Sequence, residues 1–127
     1  MLKITALYAG ILGLMAIGLS ALPGRMRGKL KISVGDGGNS ELLLAMRRHA
    51  NFVEYVPLAL ILIGLLEMNN VTPVAIHALG AGLVLVRLSH AFGLKPDTVG
   101  NPGRFVGAAG TALITVVASI WAITIFF

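Results

Sequence analysis

The chain has 127 residues, of which 57% are hydrophobic and only 12% are charged, and its mean hydropathy is +0.90. A soluble domain of this size needs about a quarter of its residues charged, so the composition excludes one and predicts a surface largely covered by lipid. The chain has no cysteine and a net charge of +5, and the absence of cysteine excludes disulfides, cysteine nucleophiles and cysteine-ligated metals.

Four apolar stretches are candidates for membrane-spanning helices, each of which needs about 20 residues to cross the hydrocarbon. The predicted helices cover residues 4–22, 42–66, 73–92 and 105–127. Their apolar residues are continuous rather than alternating, which favours helices over a membrane barrel. The sequence therefore predicts an all-α integral membrane four-helix bundle, with a single domain over residues 1–127.

The connection between the first two helices has two recognisable parts. Pro23 and Gly24 predict the end of the first helix, and the alternating basic residues at positions 25, 27, 29 and 31 predict an extended segment at the lipid headgroups. The glycine-rich "GDGG" at 35–38 predicts a tight turn before a helix cap at Asn39 or Ser40.

Basic residues are concentrated on one predicted side of the membrane. Nine of the ten lie in or beside the first and third connections, namely Arg25, Arg27, Lys29, Lys31, Arg47, Arg48, Arg87, Lys95 and Arg104. The positive-inside rule places both connections in the cytoplasm and both termini outside it. Lipid headgroups account for this charge, and no aromatic-interleaved basic surface indicates a nucleic-acid partner.

The second predicted helix carries a polar stripe directly before an apolar run. At a helical step of about 100°, Arg47, Asn51 and Glu54 lie at about 0°, 40° and −20°. Arg48 and His49 point elsewhere. Each charge at membrane depth costs about 2.5 to 3.5 kcal/mol, and such groups usually face a bundle interior or a wet cavity.

Other helices bring cations to the same membrane level. Arg87 and His90 lie near the end of the third helix, Arg104 opens the fourth and Arg25 closes the first. Glu54 alone does not neutralise them, so the surplus positive charge predicts an anionic ligand with carboxylates that arginine binds in bidentate fashion. The alternative is that these residues pair with one another and with lipid phosphates. The histidines lack metal-ligand spacing, so no metal is predicted.

These residues occur in a recognisable context. The segments "GDGGNSELLLAMRRHANFVEYVPLALILIGLLE", "HALGAGLVLVRLSHAFGL" and "NPGRFVGAAGT" resemble the bacterial branch of the MAPEG family, the membrane-associated proteins of eicosanoid and glutathione metabolism. The resemblance covers about residues 30 to 115. It implies a homotrimer of four-helix protomers in a bacterial inner membrane, with glutathione bound as co-substrate between protomers near the cytoplasmic side.

The resemblance also implies roles for individual residues. Arg47, Asn51, Glu54, Arg87, His90 and, less closely, Arg25 match glutathione-binding positions. Arg104 matches the arginine that stabilises the glutathione thiolate in several members, and it is the expected catalytic residue. The implied activity is that of a glutathione transferase or peroxidase acting on lipophilic small-molecule electrophiles.

Two departures from the family pattern leave an alternative open. Catalytic members commonly carry a tyrosine four residues after the helix-four arginine and another seven after the helix-three arginine, where this chain has Ala108 and Leu94. A non-catalytic lipid- or ligand-binding relative is therefore the second interpretation. A small multidrug exporter is disfavoured because the first helix lacks the acidic residue that such exporters use.

Overall fold

The computed structural model of the chain describes residues 1–94 and 101–127, so Lys95 lies outside the described residues. It contains four helices, α1 (Lys3–Leu30), α2 (Ser40–Met68), α3 (Pro73–Gly93) and α4 (Pro102–Thr124). All four are long and apolar enough to cross a membrane, which confirms the predicted all-α membrane architecture. With 28 and 29 residues, α1 and α2 are about 42 Å long and extend beyond a hydrocarbon layer of about 30 Å.

The prediction for the end of the first helix is wrong. Helix α1 continues through Pro23 to Leu30, so the basic residues after Gly24 lie on two further helical turns and not on an extended segment. A proline removes one backbone donor, and membrane helices tolerate it where the surroundings satisfy the freed carbonyl. Arg27 and Lys29 in the last turn suit the negative end of the helix dipole. Lys31 ends α1 in the left-handed conformation, with its N–H bonded to the Arg27 carbonyl.

Asparagine side chains cap the helices that begin beside the basic connections. Asn39 is the N-cap of α2, as predicted, and its side-chain oxygen accepts from the N–H of Leu42 at 2.9 Å. Asn101 caps α4 in the same way, accepting from the N–H groups of Gly103 and Arg104 at 2.9 and 3.3 Å. These caps satisfy donors that a helix start leaves free, and they fix where the first turns of α2 and α4 begin.

The two membrane ends of the bundle differ in chemistry. At one end the Glu67 carboxylate, near the end of α2, accepts from the N–H groups of Ile4 and Thr5 at 2.9 and 2.7 Å and so caps α1. At the opposite end α1 and α3 finish and α2 and α4 begin. This second end carries the described arginines and is called the basic end below. The location of these arginines at one end agrees with the predicted topology. The assignment of the basic end to the cytoplasm stays a prediction.

Close contacts through glycine set the spacing of α3 and α4. A methyl group added to Gly107 would meet the backbone of His90, and one added to Gly93 would meet the backbone of Gly103 and Arg104. The Ser89 hydroxyl adds a hydrogen bond to the Gly103 carbonyl at 2.9 Å. Small residues permit such approaches between membrane helices. This contact holds the end of α3 directly against the start of α4.

The apolar core lies between the helices, and a second apolar surface faces outward. The buried core cluster comprises Leu12, Phe52, Val56, Ala59, Ile63, Leu66, Ile76, Leu83 and Ala118. Large apolar side chains such as Leu14, Leu85 and Phe105 are exposed on the outside of the bundle. An exposed apolar exterior of this extent is what a lipid environment or a partner subunit covers.

Candidate functional site

A polar cavity of about 300 Å³ opens among α2, α3 and α4 at the basic end. It is called the polar cavity below, and its lining residues are Ser40, Leu43, Leu44, Arg47, Asn51, His90, Leu94 and Arg104. The first turns of α2 supply one wall, because Arg47 and Asn51 are four residues apart on the same face. The end of α3 and the start of α4 supply the other wall, which the glycine contacts hold in place.

The charge of the polar cavity is positive. Arg47 and Arg104 both line it and both are exposed, and among the described residues no Asp or Glu lines it. His90 lines it as well, is only 4% exposed, and its Nδ1 is buried without a hydrogen-bond partner in the described residues. An orphaned buried nitrogen is costly, so a ligand that supplies a hydrogen-bond partner would relieve that cost.

Arg87 lies deeper in the bundle than the polar cavity. Its side chain is 1% exposed, and it donates to the Asn51 side-chain oxygen at 2.8 Å. A longer contact of 3.4 Å reaches the Thr111 hydroxyl, and the guanidinium lies 5.4 Å from the centre of the Phe52 ring. Arg87 therefore contacts the polar cavity through Asn51, whose oxygen it holds, rather than by lining the cavity itself.

A second, smaller cavity shares Asn51 with the polar cavity. It has a volume of about 140 Å³ and is called the inner cavity; its lining residues are Asn51, Tyr55, Arg87, Ala108, Thr111 and Ala112. Thr111 is buried and donates to the Gly107 carbonyl at 2.7 Å, while Tyr55, Ala108 and Ala112 are exposed on the outer surface of α2 and α4. Asn51 is thus shared by two cavities.

The structure brings together most, but not all, of the predicted site residues. Arg47, Asn51, His90 and Arg104 meet around the polar cavity, and Arg87 contacts Asn51 from behind. Two predicted residues line neither cavity in this single chain, and both are exposed: Glu54 on α2 and Arg25 on the added turns of α1.

Sequence reasoning also overlooked residues that belong to the site. Arg48, set aside because it points away from the stripe, donates to the Leu94 carbonyl at 2.5 Å and ties α2 to the end of α3. The position of Arg48 in the first turns of α2 gives no signal for this contact, which depends on how α2 packs against α3. Thr111 lies seven residues after Arg104 and therefore on the same helical face, a spacing that could have identified it. Tyr55 follows Glu54 directly and lies beside the predicted stripe.

Comparisons with known proteins agree with this architecture. The model of the MAPEG family matches residues 5–124. The chain belongs to the MAPEG family. Curated relatives carry the name inner membrane protein YecN in Escherichia coli strain K12 and in strain O6:H1, and each is 34% identical over 119 residues, covering 93% of this chain and 91% of the relative. No solved structure matches. The resemblance seen in the sequence is thereby confirmed, and this MAPEG chain is a four-helix membrane protein.

Proposed function

We propose that this MAPEG protein binds glutathione in the polar cavity and uses its thiolate as a nucleophile, either to conjugate glutathione to lipophilic electrophiles as a transferase or to reduce lipophilic hydroperoxides as a peroxidase. The observation that carries the proposal is a cavity to which Arg47, Arg104 and His90 contribute, and which no carboxylate lines within residues 1–94 and 101–127. Glutathione is an anion with two carboxylates, one ammonium group and a thiol. A cavity of about 300 Å³ lies at the lower end of the usual size range for small-molecule sites.

Each residue of the polar cavity is matched to a group of glutathione by its charge or hydrogen-bonding capacity. Arg47 and Arg104 suit the carboxylates and the thiolate, because a guanidinium donates two parallel hydrogen bonds to a carboxylate. Arg87 acts through Asn51, whose oxygen it engages at 2.8 Å, so the Asn51 amide group is left to donate to the ligand. His90 Nδ1, buried and without a partner in the described residues, supplies a further polar contact.

Arg104 is the proposed catalytic residue. It stands in the first turn of α4, where the helix dipole adds positive potential to its own charge. A positive group beside the bound thiol stabilises the thiolate, which is the reactive nucleophile. This arrangement explains how a chain without cysteine performs thiol chemistry, since the nucleophile arrives with the ligand.

Both reaction types use the same thiolate. In transfer, the sulfur bonds to an electrophilic carbon and the leaving group departs with the electron pair of the broken bond. In peroxide reduction, the sulfur attacks one peroxide oxygen, the O–O bond breaks, and the departing alkoxide takes a proton to become an alcohol. A second glutathione then displaces water from the resulting sulfenic acid and forms the disulfide.

The proposal includes an assembly and a location. Glu54 and Arg25 are exposed and line neither cavity of one chain, so a homotrimer would allow each to complete the site of a neighbouring protomer, with Glu54 suited to the glutathione ammonium group. The names of the E. coli relatives support a location in the bacterial inner membrane. The positive-inside rule supports a topology with both termini outside the cytoplasm.

A non-catalytic ligand-binding role is the second candidate. Ala108 lines the inner cavity and Leu94 lines the polar cavity, so neither position presents a hydroxyl to a ligand. In this case the polar cavity still binds glutathione, but no product forms. Membrane lipids remain partners in both cases, because apolar side chains cover the outside of the bundle.

Titration calorimetry of the detergent-purified protein with glutathione tests the binding proposal. We expect binding in wild type that Arg47→Ala and Glu54→Ala abolish and that Lys29→Ala, an exposed cation on the end of α1, leaves unchanged. If the wild-type protein does not bind glutathione at millimolar concentration, the proposal is wrong.

Turnover assays separate the enzyme from the binder. With glutathione present, the protein is assayed against a lipophilic halo-arene and a lipid hydroperoxide. Product formation that Arg104→Ala eliminates supports the enzyme, whereas binding without any product supports the second candidate. Activity that survives Arg104→Ala contradicts the thiolate role of this residue.

A further inference from the structure

The inner cavity is polar at its base and open at the outer surface of the bundle. Arg87 and Thr111 at its base are buried, at 1% and 2% exposure. Tyr55 on α2 and Ala108 and Ala112 on α4 are exposed and line the same space. A ligand that enters between α2 and α4 would therefore meet a buried guanidinium below an opening with apolar surroundings.

Arg87 has unused capacity to bind a ligand. Its partners in the described residues are neutral: the Asn51 oxygen at 2.8 Å, the Thr111 hydroxyl at 3.4 Å and the Phe52 ring. Its Nε is buried without a hydrogen-bond partner there. A buried cation without a counter-charge is costly. Tyr55 also lines this cavity, and its side chain carries a hydroxyl that can donate a hydrogen bond. The inner cavity therefore favours an occupant that accepts hydrogen bonds.

The depth of the inner cavity identifies the kind of occupant. The polar cavity reaches Arg104 in the first turn of α4, whereas the inner cavity reaches Thr111 and Ala112. Those positions lie about 10 to 12 Å further along the helix, towards the middle of the membrane. A water-soluble anion would enter at the basic end, whereas the deeper opening favours a lipophilic molecule that arrives from the bilayer.

We propose that the inner cavity binds the oxygen-bearing group of the lipophilic substrate, such as a carbonyl or hydroperoxide, and that the small side chain of Ala108 makes room for it. This inference rests on the proposed function, because it names the site of the second substrate. Arg87 and Tyr55 donate hydrogen bonds to the substrate oxygen. The space beside Ala108 lies one turn from Arg104, so the bound oxygen group lies near the proposed thiolate.

The absence of cysteine allows a test that does not require catalysis. Ala108→Cys provides the only thiol of the protein, and Ala109→Cys is the matched control because Ala109 is also exposed but does not line the cavity. Each purified variant is labelled with a maleimide in detergent, with no addition, with 2-decanone, with decane, or with S-methylglutathione, which has no free thiol.

We expect 2-decanone to slow labelling of Ala108→Cys at least fivefold, and decane, which lacks the carbonyl oxygen, to slow it less than twofold. Neither compound should slow labelling of Ala109→Cys. Equal protection by decane and 2-decanone, or none by either, overturns the proposal. Protection by S-methylglutathione but not by 2-decanone assigns the inner cavity to glutathione and also overturns it.

A second pair of variants tests whether the small side chain of Ala108 makes room for the substrate. It also keeps the inference testable if Ala108→Cys does not fold. Ala112→Cys reports on the same cavity. Adding Ala108→Leu to it should remove protection by 2-decanone, whereas adding Ala109→Leu should leave protection unchanged; protection that survives Ala108→Leu contradicts the inference. If calorimetry shows no glutathione binding, the proposed function fails, yet the labelling result still decides whether an oxygen-bearing lipophile occupies the cavity.

Discussion

The contact between Gly107 and His90 holds together the α3–α4 wall of the polar cavity, and Gly107→Ala tests its role. The added methyl would lie 2.5 Å from the His90 backbone nitrogen and 2.6 Å from its Cα. Ordinary contacts between such atoms are about 3.5 to 4.0 Å. Because the obstructing atoms belong to the backbone, no side-chain rotation relieves the overlap. Helices α3 and α4 must separate by about 1 Å, the shortfall from that contact distance.

The expected cost follows from that displacement. Overpacking typically destabilises by about 1 to 3 kcal/mol, and replacing a helical glycine by alanine returns about 0.5 to 1 kcal/mol. A net loss of about 0 to 2.5 kcal/mol, centred near 1 kcal/mol, is expected, together with a shift of Arg104 relative to Arg47. A displacement of about 1 Å at a reacting centre reduces turnover about 100-fold.

The matched control is Gly82→Ala, on the same pair of helices. Its added methyl would lie 3.4 Å from Cδ1 of Ile114, the end of a flexible side chain. This variant should therefore keep wild-type binding and be as stable as wild type or more stable by up to about 1 kcal/mol. Unfolding by sodium dodecyl sulfate, followed by circular dichroism, measures stability, and calorimetry with glutathione measures binding. Equal unfolding midpoints and affinities for the two variants would refute the argument that this glycine contact positions the cavity wall.

Three further predictions concern other parts of the molecule. Glu67→Gln removes the charge and one of two acceptors that cap α1 and should lower stability by about 1 to 2 kcal/mol in the same unfolding assay. Asn51→Asp places a carboxylate beside Arg87, so the fold should persist while calorimetry with glutathione shows at least tenfold weaker binding; unchanged affinity would contradict the assigned role of Asn51. A phosphatase active only outside the cytoplasm should be active when fused after Phe127 and inactive when inserted at residues 33–38.

The four helices could be predicted from the sequence because a continuous apolar run of about 20 residues indicates a segment surrounded by lipid. The end of α1 could not, since Pro23 and Gly24 usually end a helix in water. Here the helix continues for two turns with basic residues that suit its C-terminal dipole. Local propensity alone therefore placed the boundary eight residues early, at 22 instead of Leu30.

The part of the candidate site that follows from residue spacing along one helix could be predicted. The part that follows from how two helices pack could not. The angles along α2 place Arg47 and Asn51 on one face, and both line the polar cavity. The same angles place Glu54 in the predicted stripe, but Glu54 lines neither cavity. They leave Arg48 out of the stripe, but Arg48 donates a hydrogen bond to the end of α3. The crossing of α2 with its neighbours decides these outcomes, and helical periodicity contains no information about that crossing.

Asn51 explains how two cavities could serve one reaction. Arg87 only donates hydrogen bonds, so its 2.8 Å contact must engage the Asn51 oxygen. The Asn51 amide group is thereby oriented as a donor at the wall between the polar and inner cavities. On the proposed function, the buried charge of Arg87 would act on glutathione in the polar cavity through Asn51 and on the lipophilic substrate in the inner cavity directly. Because Asn51 lines both cavities, the two substrates would then meet beside this one side chain.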